Sequence, residues 1–205
     1  NHIIEKRLAN FFIKNLNFRD YGQFVIEKKK LLNEPLSFQI FILKRLLVTC
    51  SGSIYPPKSS SIKIFLEKLS NSNQSKFSVH SCIIRTSLNN IEILREYQKV
   101  KNSNPKKVII KKKKPFLWDN RFLISSILYD LNCYLFDDNI WLKLKKDFRF
   151  LKKSNEIDYE ILKTLPILEL NERIMIPFLT NHKEMLSTGI SIIFKPKIPI
   201  TKKNF

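Results

Sequence analysis

The sequence has three glycines in 205 residues. That scarcity disfavours glycine-rich phosphate loops and tightly turned all-β folds. Cysteine is equally sparse: Cys50, Cys82 and Cys133 are odd in number, far apart and without a Cys-x-x-Cys pair. A disulfide framework or a structural zinc site is therefore not expected, and a reducing, cytoplasmic setting fits best. His2, His80 and His182 are too scattered to suggest a ligand set. Long apolar runs are missing too, because Lys44 and Arg45 interrupt the stretch from Phe38 to Val48 well short of the ~18–20 residues that cross a bilayer. No targeting segment is visible. Asn1 is followed by what reads as the interior of a helix, so a piece of a longer gene product is expected.

Acidic residues are also in short supply. Thirty-seven Lys and Arg face 18 Asp and Glu, a net charge of +19. Such a surplus attracts polyanions, nucleic acid first, because phosphate neutralisation releases condensed counterions. Lys, Asn, Ile and Phe are abundant, however, as they would be under A+T codon pressure, and charge by itself leaves both readings open.

What is present is apolar patterning along the whole length, enough for one good-sized core or two small ones. Ile4, Leu8, Phe11 and Phe12 form one helical face. A second helix is expected through Gly22 to Leu32, and a third from near Ser37 with Ile40, Phe41, Leu43, Leu47 and Val48 buried. Gly52 suits the left-handed residue that ends it. Tyr55-Pro56-Pro57-Lys58 reads as an extended connector, and Ser59–Ser61 offer cap hydroxyls for a helix from Ile62 to Leu69. Beyond the polar stretch Asn71–Ser75 the period changes to two. Phe77–His80, Cys82–Thr86 and Ile91–Leu94 read as strands, the last two joined by a turn at Ser87–Asn90. Lys99–Lys107 is expected as loop, and Val108–Ile110 and Leu117–Ile124 as strands flanking Lys111–Lys114. Short helices are expected at Ile140–Phe150 and Ile157–Leu162. Strands follow at Ile167–Leu170, Arg173–Pro177 and Gly189–Phe194, with Asn171-Glu172 turning between the first two. The expected class is α+β: a helical linking region over 1–75, then a small mixed domain over 76–205.

No catalytic constellation occurs: there is no Gly-x-x-x-x-Gly-Lys-Ser/Thr, Gly-x-Gly-x-x-Gly, Gly-x-Ser-x-Gly or His-Glu-x-x-His. Glu96 and Asp119 each lie beside an arginine, where an internal ion pair is the simpler reading than general acid–base work. Asp137-Asp138 has no third ligand near it and fits a turn or cap better than a metal site.

Four collinear segments resemble one family. Ser51-Gly52-Ser53-Ile54-Tyr55-Pro56-Pro57-Lys58 is similar to a Gly-x-x-Tyr-x-Pro-basic connector. Phe77–Ile84 with Ile93-Leu94-Arg95-Glu96 resembles a Gly-Cys strand and an Arg-Glu strand end. Trp118-Asp119-Asn120-Arg121-Phe122 resembles a Trp-Asp-x-Arg-Phe motif, and Thr164–Leu168 with Ile176-Pro177 a Leu-Pro…Ile/Val-Pro ending. Together they resemble the C-terminal half of the tRNA(Ile)-lysidine synthetases. Ser81 departs from the family's usual Gly, and Lys58 from its frequent Arg, keeping charge but losing the bidentate fork.

The resemblance implies a ligase that adenylates the wobble cytidine of an isoleucine tRNA (CAU anticodon) with ATP, then attaches lysine. The family's ATP loop, Ser-Gly-Gly-x-Asp-Ser, does not occur in these 205 residues. This portion is therefore expected to hold tRNA, to carry no catalytic residues of its own and to need neither metal nor membrane; a homodimer is compatible with it. The tRNA-contact candidates are Arg95, Arg121, Lys106, Lys107, Lys111, Lys112, Lys113 and Lys114. For the two arginines an internal pair with a neighbouring carboxylate competes with phosphate contact. For Trp118 and Phe122 core packing competes with base stacking. A free-standing basic RNA-binding or ribosome-associated protein is the alternative.

Overall fold

The computed structural model describes residues 2–71, 75–144, 157–180, 185 and 187–201. Seven helices and twelve antiparallel strands occur among them, an α+β fold that begins with a helix. The chain forms two compact units: one runs to Glu96 and includes the tail from Pro196, the other is Tyr97–Lys195.

The first unit opens with α1 (His2–Asn15), which buries Leu8, Phe11 and Phe12. Then come β1 (Leu16–Arg19), β2 (Gln23–Glu27), α2 (Lys28–Leu32), α3 (Leu36–Ser51), α4 (Ser59–Asn71), β3 (Ser75–Val79), β4 (Cys82–Thr86) and β5 (Asn90–Arg95). The strands make one sheet in the order β1-β2-β5-β4-β3. Leu43, Leu46 and Cys50 of α3 and Ile62 and Leu69 of α4 are fully buried, as are Phe24, Ile84 and Cys82 on the strands. Each such aliphatic or aromatic side chain contributes ~1.5–3 kcal/mol of burial energy. Gly52 ends α3 at φ 68°, the left-handed conformation expected of it.

The segment Gly22–Leu32, expected as helix, is instead the second strand of a hairpin followed by one short helical turn. Gly22 takes φ 86° and its N–H bonds the Arg19 carbonyl at 2.8 Å, which reverses the chain. From there Phe24 and Ile26 point inward while Gln23, Val25 and Glu27 are more exposed, a period of two. Pairing settles the matter, because Phe24 lies opposite Ile93 and Ile26 opposite Ile91 in β5.

The second unit contains α5 (Tyr97–Ser103), β6 (Lys107–Ile110), β7 (Phe116–Trp118), β8 (Phe122–Ser126), β9 (Leu131–Tyr134), α6 (Asp138–Leu144), α7 (Tyr159–Leu162), β10 (Ile167–Leu170), β11 (Arg173–Met175) and β12 (Ile190–Phe194). Two sheets result, β11-β10-β9-β6 and β12-β8-β7. The stretch expected as loop at Lys99–Lys107 is helical as far as Ser103, anchored by buried Val100 and closed by Asn104, whose side-chain amide bonds the Val100 carbonyl at 2.9 Å. Leu117–Ile124 is not one strand but a hairpin. Asp119 and Asn120 adopt φ 48° and 54°, and Arg121 N–H bonds the Trp118 carbonyl at 2.9 Å. Two successive left-handed residues make the type I′ turn that matches strand twist, and Asp and Asn tolerate it better than most side chains. The expected turn at Asn171-Glu172 has the same character, with φ 49° and 64°. The helix expected over Ile140–Phe150 is present as α6 up to Leu144; residues 145–150 lie outside the described residues, as do residues 72–74 of the polar stretch and His182.

Candidate nucleic-acid interface

The tetralysine segment joins β6 to β7 as a tight exposed turn. Ile110, just before it, is buried at 1% exposure, so the strand is anchored where the lysines begin. Lys113 takes φ 61°, and Lys114 N–H bonds the Lys111 carbonyl at 3.1 Å. Two further ties fix the turn to the segment after β8. Lys113 N–H reaches the Ser126 carbonyl at 2.7 Å. The Asp130 carboxylate accepts from Lys111 Nζ at 2.8 Å and from Lys112 N–H at 2.9 Å. Those hydrogen bonds, the Lys111 ammonium first, hold the Asp130 carboxyl below its ordinary range. Lys111 is thereby partly neutralised. Lys112, Lys113 and Lys114 make no ion pair among the described residues, and their ammonium groups face solvent.

Lys106 and Lys107 sit at the other end of β6, both exposed. The Lys106 carbonyl accepts from Leu135 N–H, and Lys107 Nζ lies 5.2 Å from the Tyr134 ring centre. Since β6 is an edge strand of four residues, the two lysine groups are separated by ~13 Å of strand at ~3.3 Å per residue. A spacing of this size suits two separate anionic groups rather than one.

The arginines are placed differently. Arg121 is completely buried; its Nε donates to Asp119 Oδ2 at 2.7 Å and its Nη2 to the Thr164 carbonyl at 3.1 Å. Asn104 completes the arrangement: its Nδ2 donates to Asp119 Oδ1 at 3.2 Å, and its Oδ1 accepts from Asp119 N–H at 3.0 Å. Trp118 and Phe122 flank this pair at 0% exposure, and Phe122 packs edge-on against Phe194 at 5.4 Å. Core packing is thus what these two aromatic rings do.

Arg95, at 6% exposure, donates from Nη1 to the Ser81 carbonyl at 3.0 Å. The same carbonyl receives Glu96 N–H at 3.1 Å, while the Glu96 carboxylate accepts from Ser78 Oγ at 2.8 Å. His80 and Ser81 form this β3–β4 turn at φ 51° and 62°, which gives a reason for the glycine expected at the second position. Burial lowers the His80 pKa, a backbone hydrogen bond at Tyr55 works against that, and the Arg95 charge adds to the lowering.

The structure therefore brings Lys111–Lys114 together on one turn, sets Lys106 and Lys107 at the far end of the same strand, and commits Arg95 and Arg121 to holding two hairpin turns. Sequence reasoning missed Asp130, Ser126 and Asn104, and gave Thr164 no role beyond opening the Leu-Pro segment; these four do the holding. Asn104, before Pro105, carried a weak helix-end signal; the other three become meaningful only once the chain has folded back. Among the described residues no group of three His, Cys, Asp or Glu could hold a metal ion, and no helix is long and apolar enough to cross a membrane.

No family model matches the chain. It is similar, however, to curated proteins called tRNA(Ile)-lysidine synthase. With that of Rickettsia bellii it shares 25% identity over 206 residues, covering 96% of this chain and 47% of the relative. With that of Rickettsia conorii identity is 26% over 166 residues, 76% of this chain and 33% of the relative, and with that of Rickettsia typhi 28% over 161 residues, 76% and 36%. The chain spans less than half the length of these relatives, and what it resembles is a part of tRNA(Ile)-lysidine synthase, a ligase.

Proposed function

We propose that this chain is the C-terminal, tRNA-handling part of a cytoplasmic tRNA(Ile)-lysidine synthase. In this reading the whole enzyme adenylates the wobble cytidine of isoleucine tRNA (CAU anticodon) with ATP. Lysine then displaces the adenylate to form lysidine. ATP binding and both chemical steps belong to a part carrying the Ser-Gly-Gly-x-Asp-Ser loop, and residues from 76 onward hold the tRNA. The observation that carries the proposal is the alignment over 96% of the chain with one relative of that name. The exposed lysine turn supports it, since the three consecutive ammonium groups of Lys112–Lys114, which make no ion pair among the described residues, suit a phosphate backbone.

Within this reading Lys112, Lys113 and Lys114 contact phosphates directly, Lys111 does so when its bond to Asp130 opens, and Lys106 and Lys107 meet a second phosphate along the strand. Arg95 and Arg121 are positioning residues, acting through the turns they brace. The test is a pair of assays on the 205-residue chain. It is expected to retain tRNA with an affinity that falls steeply with salt, and to transfer no lysine to tRNA in the presence of ATP. Lysidine formation by the chain alone contradicts the division of labour, and a salt-independent affinity contradicts the phosphate contacts.

A further inference from the structure

Next to the lysine turn the structure exposes three consecutive apolar side chains. Ile127, Leu128 and Tyr129 are 60%, 52% and 48% exposed. Single exposed hydrophobic residues are ordinary on protein surfaces, but three in a row on one bend are not. This bend is also rigidly held. Ile127 N–H bonds the Gly189 carbonyl at 2.9 Å, and Ser126 Oγ donates to the Tyr129 carbonyl at 2.6 Å. Gly189, at φ +69°, passes so close beneath that a Cβ there would meet Leu128 Cγ at 3.1 Å. The next residue, Asp130, is the one that clamps Lys111 and Lys112, and Ser126 is the one that accepts from Lys113. Apolar bend and cationic turn are therefore one preorganised surface.

Lysines alone suffice to grip a duplex backbone. An aromatic ring and aliphatic side chains held outward beside them match something else: a base that has left its stack. We infer that Ile127–Tyr129 and Lys112–Lys114 together form a site for an unstacked nucleotide of RNA. The Tyr129 ring stacks on the base, Leu128 and Ile127 cover the ribose and base edge, and the lysines hold the flanking phosphates. The inference rests on the tRNA-binding reading above and specifies which kind of RNA element this surface takes.

The experiment measures binding of the whole chain to tRNA, to a ~12-nucleotide single strand and to a duplex of the same length. Wild type is compared with Tyr129→Ala, Tyr129→Phe and a quadruple Lys111–Lys114→Ala variant, with circular dichroism to check folding. Tyr129→Ala is expected to weaken single-strand and tRNA binding roughly 5- to 100-fold, leaving duplex binding and the salt slope unchanged. Tyr129→Phe retains full affinity, and the quadruple variant weakens all three ligands. Equal effects of Tyr129→Ala on single strand and duplex, or no effect on either, overturn the nucleotide site while leaving the lysine contacts intact. Absence of RNA binding by the wild type overturns both readings. Retention on phosphatidylserine vesicles that Tyr129→Ala abolishes, with RNA binding unchanged, overturns the inference in favour of an anionic lipid surface.

Discussion

Asp119 and Arg121 face each other across the tip of the β7–β8 hairpin, Oδ2 to Nε at 2.7 Å, with both side chains almost wholly removed from solvent. Such a pair is weak evidence of net stabilisation, because desolvation of two charges offsets their attraction. Its consequence is asymmetric: either charge left without the other becomes costly. The carbonyl of Thr164 and the amide of Asn104 take up further bonding positions and tie the hairpin tip to two distant segments of the same unit.

Asp119→Ala is therefore expected to destabilise the protein by about 3–5 kcal/mol, as removing one member of a buried pair does. Arg121→Met should cost a similar amount. The two together should cost clearly less than the sum, because the double variant leaves no orphaned charge. Urea denaturation followed by circular dichroism measures all three. Strict additivity would mean that the two groups do not interact.

Ser81 offers a gain. It sits at φ 62° in a two-residue turn, where a side chain costs about 1–2 kcal/mol and glycine does not. Glycine's greater freedom in the unfolded chain takes back part of that. Ser81→Gly is expected to raise stability by about 0.5–1 kcal/mol in thermal melts, whereas Ser81→Val should lower it.

His80 sets an acid limit on stability. Its pKa is lowered in the folded state, by burial first, so the native protein holds fewer protons here than the unfolded chain. The stability this group contributes is fully present above the unfolded histidine value, ~6.5, and is lost as pH falls through the lower folded value. Stability should thus fall below about pH 6.5 with a slope of at most ~1.4 kcal/mol per pH unit, the ceiling for one proton. His80→Asn keeps a residue that tolerates the left-handed turn and should flatten that part of the profile. An unchanged profile would assign the acid sensitivity elsewhere.

How much of this was legible beforehand depends on how far apart the partners are in sequence. Helix α3 announces itself between Pro35 and Gly52, and the Cys82–Thr86 hairpin partner at Ile91 lies a short turn away, so local pattern suffices. The β1–β2 hairpin does not announce itself. Phe24 finds Ile93 from far along the chain, and Gln23–Glu27 runs directly into a lysine-leucine stretch that extends an apparent helical pattern. Among the candidate contacts, the exposure of Lys111–Lys114 needed no partner to be foreseen, since four adjacent lysines can hardly be buried together. For Arg121 the sequence left phosphate contact and internal pairing open. Its burial depends on a carbonyl at Thr164 and on the packing of Phe122 against Phe194, which local pattern does not reveal. Asp130 was overlooked for the same reason: its role exists only once the bend after β8 closes onto the lysine turn.

In the proposed function the lysine turn supplies the electrostatic grip on tRNA. Titrating isoleucine tRNA and a second, unrelated tRNA against wild type and the quadruple Lys111–Lys114→Ala variant across a range of salt concentrations tests it directly. Each phosphate contact contributes ~0.9 to the slope of log K against log salt on a duplex. The variant is expected to bind both tRNAs more weakly to the same degree, with a slope shallower by about three contacts. An unchanged affinity and slope, or a loss confined to isoleucine tRNA, would contradict a backbone-gripping role for this turn.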